Sequence, residues 1–340
     1  MFFLFFFNLS ERLKEHIFIF FFFIITIQVF CQQLNLVPNP GFEEYDTCPT
    51  NGSHPGDPQL ERCKYWNLPT EGTADYLNIC APIGADIHIP SNFAGFQFPL
   101  DGNAYCGINA FYDDFYNPND DYREYIQTKL NSCLEQGQEY YFEFYVCRGE
   151  VYGILIDKIG ALFTSYPVSR TDAEPIVARP QIENPHHHLI TDTVNWTKIS
   201  GTFIAEGGEC YLTIGNFYPA SQTDTVLLQG DWPDDYAYLY IDGILLKEVE
   251  SEITIPNVFT PNNDDYNDLF RVEQKSIVEF NACIYNRWGS ELYKWDDVMQ
   301  GWNGKYKGNN CPDGVYFYVI KAKGGEGKEY DLHGVFHLLR

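Results

Sequence analysis

The stretch YYFEFYVCR, from Tyr140 to Arg148, decides the fold class of this 340-residue chain. Two phenylalanines and a valine fall on every second position, with Tyr and Glu between them. Such alternation is the pattern of a β-strand with one buried face. Further strand patterns follow in WTKISGTFIAE (Trp196–Glu206), CYLTIGNF (Cys210–Phe217) and YAYLYIDGILLKEV (Tyr236–Val249).

The composition also favours short strands joined by turns. Aromatic residues make up 17% of the chain, and 27 glycines and 19 prolines accompany only two methionines. Strand patterns separated by turns at roughly 8–12-residue spacing predict an all-β fold built from β-sandwiches. One segment, DYREYIQTKLNSCLEQG (Asp121–Gly137), fits either a helix or a strand followed by a turn.

The charge balance is strongly acidic, with 47 Asp and Glu against 22 Lys and Arg and a formal net charge of −25. Nucleic-acid binding depends on basic residues that neutralise phosphates, so no nucleic-acid partner is expected. The same carboxylates suit a solvated extracellular protein and supply hard oxygen ligands for calcium.

The N-terminal segment has the layout of a secretory signal peptide. An apolar run of 14 residues (Ile17–Phe30) follows Arg12 and Lys14. It is shorter than the roughly 20 residues that cross a bilayer. We predict a signal peptide over residues 1–31, with a retained anchor or lipidation of Cys31 as alternatives. No later segment is apolar enough to span a membrane, so no transmembrane span is expected in the mature chain.

Ten cysteines are present, and in an exported chain they are expected to form disulfides. Cys48 and Cys63 flank a loop rich in Pro and Gly and are the best local pair. Cys283 and Cys311 would link two parts of the C-terminal region. Removal of Cys31 with the signal peptide leaves an odd number, so at least one free thiol is expected.

Two strand-rich blocks are separated at EVESE (Glu248–Glu252), a charged stretch that precedes Pro256. This separation predicts a first domain over residues 32–249 and a second over residues 250–340. The second block holds the alternating run VEFNACIYN, the turn NRWG and a strand that follows a Pro-Asp-Gly turn.

Three motifs of the second block occur in a fixed order: IPNVFTPNNDDYNDLFRV (Ile255–Val272), IYNRWGSELYKWDD (Ile284–Asp297) and GWNGKYKGNNCPDGVYFYVIKAKG (Gly301–Gly324). They resemble the gliding-motility-associated C-terminal domain of Bacteroidetes, the type B sorting domain of the type IX secretion system. The resemblance implies an Ig-like β-sandwich, the type IX secretion machinery as a partner, and a secreted or cell-surface location. Asn263-Asp264-Asp265 and Asn303 depart from the family pattern at positions that should not abolish the fold.

Six Asn and Asp residues crowd the seven positions 262–268 of this block. Their side chains favour turns because they hydrogen-bond the nearby backbone, so one interpretation is a capped turn. The other is a calcium site, because Asp264 and Asp268 offer the oxygen ligands that calcium prefers. The Glu that closes an EF-hand loop is absent, which excludes that motif.

The first block begins with LVPNPGFEEY and ends with YLYIDGILLKE. These segments resemble the first and last strands of galactose-binding-like jelly rolls, which are common in carbohydrate-binding modules. The resemblance implies a jelly-roll β-sandwich and a structural calcium held by Glu43 and Asp242. Two carboxylates from neighbouring strand ends, with backbone carbonyls, can bind such a cation. The alternative is that both are solvated acids at strand ends.

The segment Phe111–Tyr122, FYDDFYNPNDDY, mixes aromatic residues with acids and amides. Sugar recognition uses flat aromatic faces together with side chains that bond hydroxyl groups. The candidate glycan-binding residues are Tyr112, Asp113, Asp114, Phe115, Tyr116 and Asn117, with Trp66 and Tyr76 as further platforms. The alternative is that these aromatic residues belong to the core and these acids to a solvated loop.

Three consecutive histidines, His186–His188, contain nitrogen ligands for zinc or nickel. Consecutive side chains diverge, however, and the nearby acids Glu183 and Asp192 match no site pattern, so an exposed loop is expected.

The sequence motifs of two common enzyme classes are absent: neither Gly-x-Ser-x-Gly nor His-Glu-x-x-His occurs. We therefore expect a non-enzymatic surface protein that binds glycans through its jelly roll. The alternatives are a structural or adhesive protein that acts through protein contacts, and an unrecognised glycosidase or esterase.

Overall fold

The computed structural model describes residues 35–112, 121–228, 236–325 and 327–340. The predicted signal peptide and the candidate residues Asp113, Asp114, Phe115, Tyr116 and Asn117 lie outside these ranges. Within them the secondary structure is β-strand with two short 3₁₀ turns, Gln59–Arg62 and Ala220–Gln222, and no α-helix. No helix of the described residues is long and apolar enough to cross a membrane.

The strands of the first block are β1 (Trp66–Asn67), β2 (Asp75–Asn78), β3 (Ser91–Asn92), β4 (Gly95–Phe96), β5 (Ala104–Tyr112), β6 (Ile126–Lys129), β7 (Glu139–Arg148), β8 (Ile154–Ile156), β9 (Gly160–Thr164), β10 (Ile182–Glu183), β11 (Thr197–Ile204), β12 (Tyr211–Gly215), β13 (Thr225–Leu227) and β14 (Tyr236–Glu248).

Two five-stranded antiparallel sheets organise this block in the described residues, in the orders β1-β6-β12-β9-β10 and β11-β7-β14-β5-β2. Alternate residues of β7 enter one hydrophobic core, as the period-two pattern predicts: Phe142, Phe144 and Val146 are buried there. The sheets cover this core from both sides. The predicted all-β class and jelly-roll sandwich are confirmed.

The strands of the second block are β15 (Glu252–Thr254), β16 (Val258–Phe259), β17 (Glu273–Lys275), β18 (Ile277–Tyr285), β19 (Glu291–Trp295), β20 (Lys305–Tyr306), β21 (Asn309–Asn310), β22 (Gly314–Gly324) and β23 (Glu329–Leu338).

A separate core lies under the second block. Its main sheet has the order β16-β23-β22-β18-β19, and β16 runs parallel to β23 while the other pairs are antiparallel. The core centres on fully buried Phe270, Trp302 and Phe336, with the rings of Phe270 and Phe336 stacked 3.8 Å apart. Aromatic packing of this kind gives the block a hydrophobic centre of its own.

The ambiguous segment 121–137 forms a strand and a turn, so its helical alternative is wrong. Residues Ile126–Lys129 form β6, which pairs with β1 on one side and with β12 on the other. The local sequence fits a helix and a strand equally well, and hydrogen bonding to two neighbouring strands selects the strand.

Two disulfides are present among the described residues, Cys48–Cys80 and Cys133–Cys210. The predicted Cys48–Cys63 pair is wrong, because Cys63 is a buried free thiol that accepts a hydrogen bond from Asn39 Nδ2 at 3.2 Å. The predicted Cys283–Cys311 pair is also wrong, since both are buried free thiols. Sequence separation did not reveal which cysteines the folded loops bring within bonding distance.

Candidate functional site

An open pocket of about 660 Å³ lies where β2, β5 and β14 meet the neighbouring loops. Side chains alternate along β14, so Leu239 faces the core between the sheets while Tyr238 lines the pocket. The pocket therefore occupies the sheet face opposite to the main core. Five tyrosines and three acids line it, namely Tyr112, Tyr122, Tyr152, Tyr236, Tyr238, Asp75, Asp86 and Glu124.

Two of these acids, Asp75 and Glu124, are buried and held by several donors. Asp75 accepts hydrogen bonds from the Ser53 backbone at 2.6 Å and from the Tyr238 hydroxyl at 2.7 Å. Glu124 accepts from the Asn109 backbone and from the Tyr122 hydroxyl, each at 2.7 Å. These bonds fix both carboxyl groups in the floor of the pocket.

Burial raises the pKa of both carboxyl groups, because desolvation disfavours their charged form. The charge of Glu124 adds to this effect, and the pKa of Asp75 rises to about 7. No Lys, Arg or His is among the described residues that line the pocket. The Asp75 carboxyl group, with a pKa of about 7, can donate a hydrogen bond when protonated as well as accept one.

Gly107 makes room for the tyrosine that holds Asp75. A Cβ atom at this position would lie 2.0 Å from the Tyr238 hydroxyl oxygen, so a larger residue would displace that ring. The pairing of β5 with β14 also shifts register between Ala237 and Tyr238, which changes the direction of side chains beside the pocket. The close packing of Tyr238 over Gly107 therefore shapes the site.

The polar lining includes Asn109, whose side-chain oxygen is buried and has no hydrogen-bond partner among the described protein atoms. A buried acceptor without a partner is costly, since it loses its water without replacement.

The aromatic lining is arranged as flat faces and edges. The rings of Tyr112 and Tyr236 stack with their centroids 4.5 Å apart, and Tyr152 meets Tyr236 edge-on at 6.0 Å. Tyr112 was predicted as a ligand contact, and the structure places it in this pocket. The predicted residues 113–117 follow it directly and lie outside the described residues.

The two other predicted platforms, Trp66 and Tyr76, belong to the core, and their assignment as ligand contacts is corrected. Trp66 is 3% exposed and donates its indole N–H to the Asn39 carbonyl at 3.0 Å. Tyr76 is fully buried and donates to the Phe42 carbonyl at 2.9 Å. Buried rings of this kind offer no face to a sugar.

Asp75 and Glu124 were missed by sequence reasoning because acids are so abundant in the chain. One signal was present: each acid directly precedes a buried tyrosine, Asp75 before Tyr76 in β2 and Glu124 before Tyr125, just ahead of β6. An acid beside a large buried residue stands out from acids in solvated loops.

The predicted calcium ligands Glu43 and Asp242 lie close together on either side of Gly41. A Cβ atom on Gly41 would lie 3.7 Å from Asp242 Oδ1 and 3.8 Å from Glu43 Cγ. Asp242 is 1% exposed and accepts hydrogen bonds from the Leu100 and Gly243 backbones at 2.8 and 2.7 Å. Burial raises the pKa of Asp242 to about 7. A buried carboxyl beside a second acid is an environment that a cation would stabilise.

The Asn/Asp loop of the second block forms a tight turn held by its own acids. Asp268 accepts hydrogen bonds from the backbones of Asn263 and Asp265 at 2.7 and 2.9 Å. Asp264 accepts from the Tyr266 backbone at 2.8 Å. Asn263, Asp265 and Asn267 have positive φ, a conformation that Asn and Asp tolerate better than most residues. The turn accounts for the composition, and calcium binding by Asp264 and Asp268 stays a prediction.

A second cavity, of about 360 Å³, brings two motifs of the C-terminal block together. Asn286, Arg287 and Trp288 of the NRWG turn lie opposite residues 312–316 of the PDGVY segment. Trp288 is 77% exposed, and the Arg287 guanidinium lies 5.1 Å from its ring centroid. An exposed aromatic residue beside a cation is a feature of recognition surfaces.

The sequence of the second block matches a known family. Residues 253–336 match the CHU_C type IX secretion signal domain. This match confirms the resemblance that the three ordered motifs indicate. A CHU_C domain indicates export to the cell surface or secretion, and it implies the type IX secretion machinery as a partner. No curated protein matches the chain.

Several solved structures are similar to part of the chain at low sequence identity. They include tailspike protein 4 of bacteriophage CBA120, at 10% identity over 63% of this chain and 21% of that one, with a TM-score of 0.31. The CBM22-1–GH10 modules of Clostridium thermocellum xylanase 10B match at 10% identity over 64% of this chain and 29% of that one, with a TM-score of 0.33. The CBM22-1 xylan-binding domain of Paenibacillus barcinonensis Xyn10C matches at 10% identity over 64% and 96%, with a TM-score of 0.30. The chain spans less than a third of the first two structures. Similarity at this level assigns no function.

Proposed function

We propose that this exported protein binds a neutral glycan in the tyrosine-lined pocket of its first block. The observation that carries the proposal is the combination of stacked tyrosine faces with buried hydrogen-bonding groups in one pocket of about 660 Å³. Pyranose rings have apolar C–H faces that pack on aromatic rings. Their hydroxyl groups both donate and accept hydrogen bonds, as the Asp75 carboxyl group does when it is protonated.

The electrostatics of the pocket disfavour an anionic ligand. Three acids and no basic residue are among the described lining residues. An anionic ligand would be repelled by these acids and would find no cation to pair with.

A glycan array probed with the full chain tests this proposal, and Tyr236→Ala is the informative variant. Loss of the Tyr236 ring should weaken binding of any glycan found by about 2 kcal/mol, roughly 30-fold in affinity. Isothermal titration calorimetry with that glycan measures the change. Tyr166→Ala is the control, because Tyr166 is 81% exposed and does not line this pocket.

Equal affinity of the wild-type protein and Tyr236→Ala would remove the pocket from the interaction. An array without binding would favour the alternative, a structural or adhesive protein that acts through protein contacts.

Hydrolysis is a second candidate, favoured by the two buried carboxyl groups with raised pKa. A glycosidase uses one carboxyl group as a general acid and the other as a base or nucleophile. Chromatography of the bound oligosaccharide after long incubation separates binding from hydrolysis. Cleavage products that disappear in Glu124→Gln would establish an enzyme, and an unchanged oligosaccharide supports a binding protein.

Calcium at Glu43 and Asp242 is part of the proposed function, as the ion that fixes the edge of the jelly roll. Calcium bound only by the folded state stabilises it by mass action, so a chelator should lower the Tm. Glu43→Gln or Asp242→Asn should remove most of that response in differential scanning fluorimetry. Asp46→Asn is the matched control, since Asp46 is an exposed acid of the same segment. Indifference of the wild-type protein to chelator and to added calcium would refute the site.

A further inference from the structure

The histidine run lies beside two acids that are far from it in sequence. β8 and β13 pair antiparallel with Ile156 opposite Thr225, so Asp157 and Asp224 lie next to each other at one end of this pair. The Asp224 backbone donates to Asp157 Oδ1 at 2.9 Å. The loop that carries His186 and His187 covers the same strand end, a proximity that no local sequence pattern indicates.

The two histidines do not diverge as consecutive side chains usually do. His187 has a φ of 66°, a left-handed conformation that is uncommon outside glycine. Its ring stacks on that of His186 with the centroids 3.6 Å apart. The loop is held in place by Asn184, whose Nδ2 donates to the carbonyls of Asp157 and His188 at 2.7 and 2.6 Å.

Each histidine presents a ring nitrogen to a carboxylate. His186 Nδ1 lies 2.9 Å from Asp157 Oδ2, and His187 Nδ1 contacts Asp224 Oδ2. One ligating atom from each of the four residues can be chosen so that all lie within 4.8 Å of one another. Lone pairs of a nitrogen and a carboxylate oxygen repel at such distances, so a hydrogen atom or a cation must lie between them. The N–H of an imidazole protonated at Nδ1 meets this need at each contact, and so does a single divalent cation shared by all four groups.

We infer that Asp157, His186, His187 and Asp224 form a site for one divalent transition-metal cation, with zinc as the representative ion. Two imidazole nitrogens and two carboxylate oxygens make a four-ligand set that zinc accepts. Calcium is disfavoured because it prefers oxygen ligands. The Asp157 side chain is fully buried while those of His186 and His187 are 55% and 71% exposed, so the site has a fixed base and an open entrance.

The same four groups, without a metal, would form two hydrogen-bonded His–Asp pairs, and Lys158 Nζ already lies 3.7 Å from Asp157 Oδ2. The two states differ in their response to added zinc. A zinc ion would join three separate segments of the fold and raise the Tm, whereas hydrogen-bonded pairs alone would give no specific response.

Isothermal titration of the chelator-treated full chain with zinc chloride tests the inference. The wild-type protein should bind zinc at one strong site, and His187→Ala and Asp224→Asn should each weaken that site by at least about tenfold, as loss of a metal contact does. His188→Ala is the matched control, because His188 belongs to the same exposed run and is absent from the cluster. Its zinc affinity should equal that of the wild-type protein.

A second measurement excludes binding by the free thiols. Cobalt(II) bound at this nitrogen and oxygen site should give visible d–d absorption without the charge-transfer band of cobalt–thiolate bonds. The inference is overturned if His187→Ala and Asp224→Asn bind zinc as the wild-type protein does. It is also overturned if His188→Ala loses as much affinity as they do, or if the cobalt spectrum shows thiolate ligation. The three substituted side chains are exposed, so each variant is expected to fold. A Tm of the metal-free variant equal to that of the metal-free wild-type protein shows that it does.

Discussion

Deletion of residues 255–340 is expected to leave the protein in the periplasm, with complete loss of the surface or secreted form. A signal peptide delivers a chain only across the inner membrane. The second step must recognise another feature, and residues 253–336 match a type IX secretion signal domain. Protease accessibility on intact cells of the native host, with an immunoblot of the periplasmic fraction, measures the outcome.

The feature recognised by the secretion machinery is expected to be a folded surface. The NRWG and PDGVY segments are separated in sequence but line one cavity, and both depend on the pairing of β18 and β22 for their position. Residues 255–340 fused behind a signal peptide and a fluorescent reporter should therefore export the reporter. A fusion with only the last 20 or so residues should fail, since an isolated hairpin is marginally stable at best.

Two exposed aromatic residues provide a matched comparison on this domain. Trp288 is 77% exposed and lines the motif cavity, while Tyr266 is 78% exposed on the Asn/Asp loop and does not. Trp288→Ala should reduce export and Tyr266→Ala should not. Surface exposure of the truncated chain in wild-type cells, or of the full chain in a strain without type IX secretion, would contradict the whole assignment.

Substitution of Asp75 by Asn is expected to stabilise the protein at pH 8 and to change little at pH 4. The pKa of Asp75 rises from its ordinary value of 3.8 to about 7, because burial and the Glu124 charge disfavour the carboxylate. The folded state therefore keeps a proton that the unfolded chain has lost, and stability falls as the pH rises from about 4 to about 7. An amide in place of this carboxyl group carries no charge at any pH, so Asp75→Asn removes this loss.

The expected effect at pH 8 is a rise in Tm of several degrees. In a chain of this size, each kcal/mol gained in the free energy of unfolding raises the Tm by about 2–4 °C. Thermal unfolding followed by circular dichroism between pH 4 and pH 8 measures it. Asp86→Asn is the control, because Asp86 lines the same pocket but is exposed. A Tm difference between wild type and Asp75→Asn that is independent of pH would show that Asp75 titrates normally. The same variant should also weaken glycan binding, since Asp75 lies in the proposed site.

The sequence by itself determined the strand periodicity, the β class and the C-terminal domain. The alternating pattern of Tyr140–Arg148 predicted β7, because successive side chains of a strand point to opposite faces and every second residue therefore faces the core. Asn and Asp at positions 262–268 predicted a turn because these side chains bond their own backbone. Tyr112 was predicted as a sugar contact from its place among acids and amides; the structure puts it in the tyrosine-lined pocket, and its contact with a ligand stays a prediction.

Only the tertiary structure decided which distant residues meet. Cys48 pairs with Cys80 and not with Cys63, although Cys63 is nearer in sequence. Asp75 and Glu124 share one pocket through the pairing of β2 with β5 and the packing of Tyr238 over Gly107. His186 and His187 meet Asp157 and Asp224 at the end of the β8–β13 pair. The physical reason is that sheet pairing and loop closure act between residues far apart in the chain, while the patterns readable in a sequence report only the interactions between neighbours.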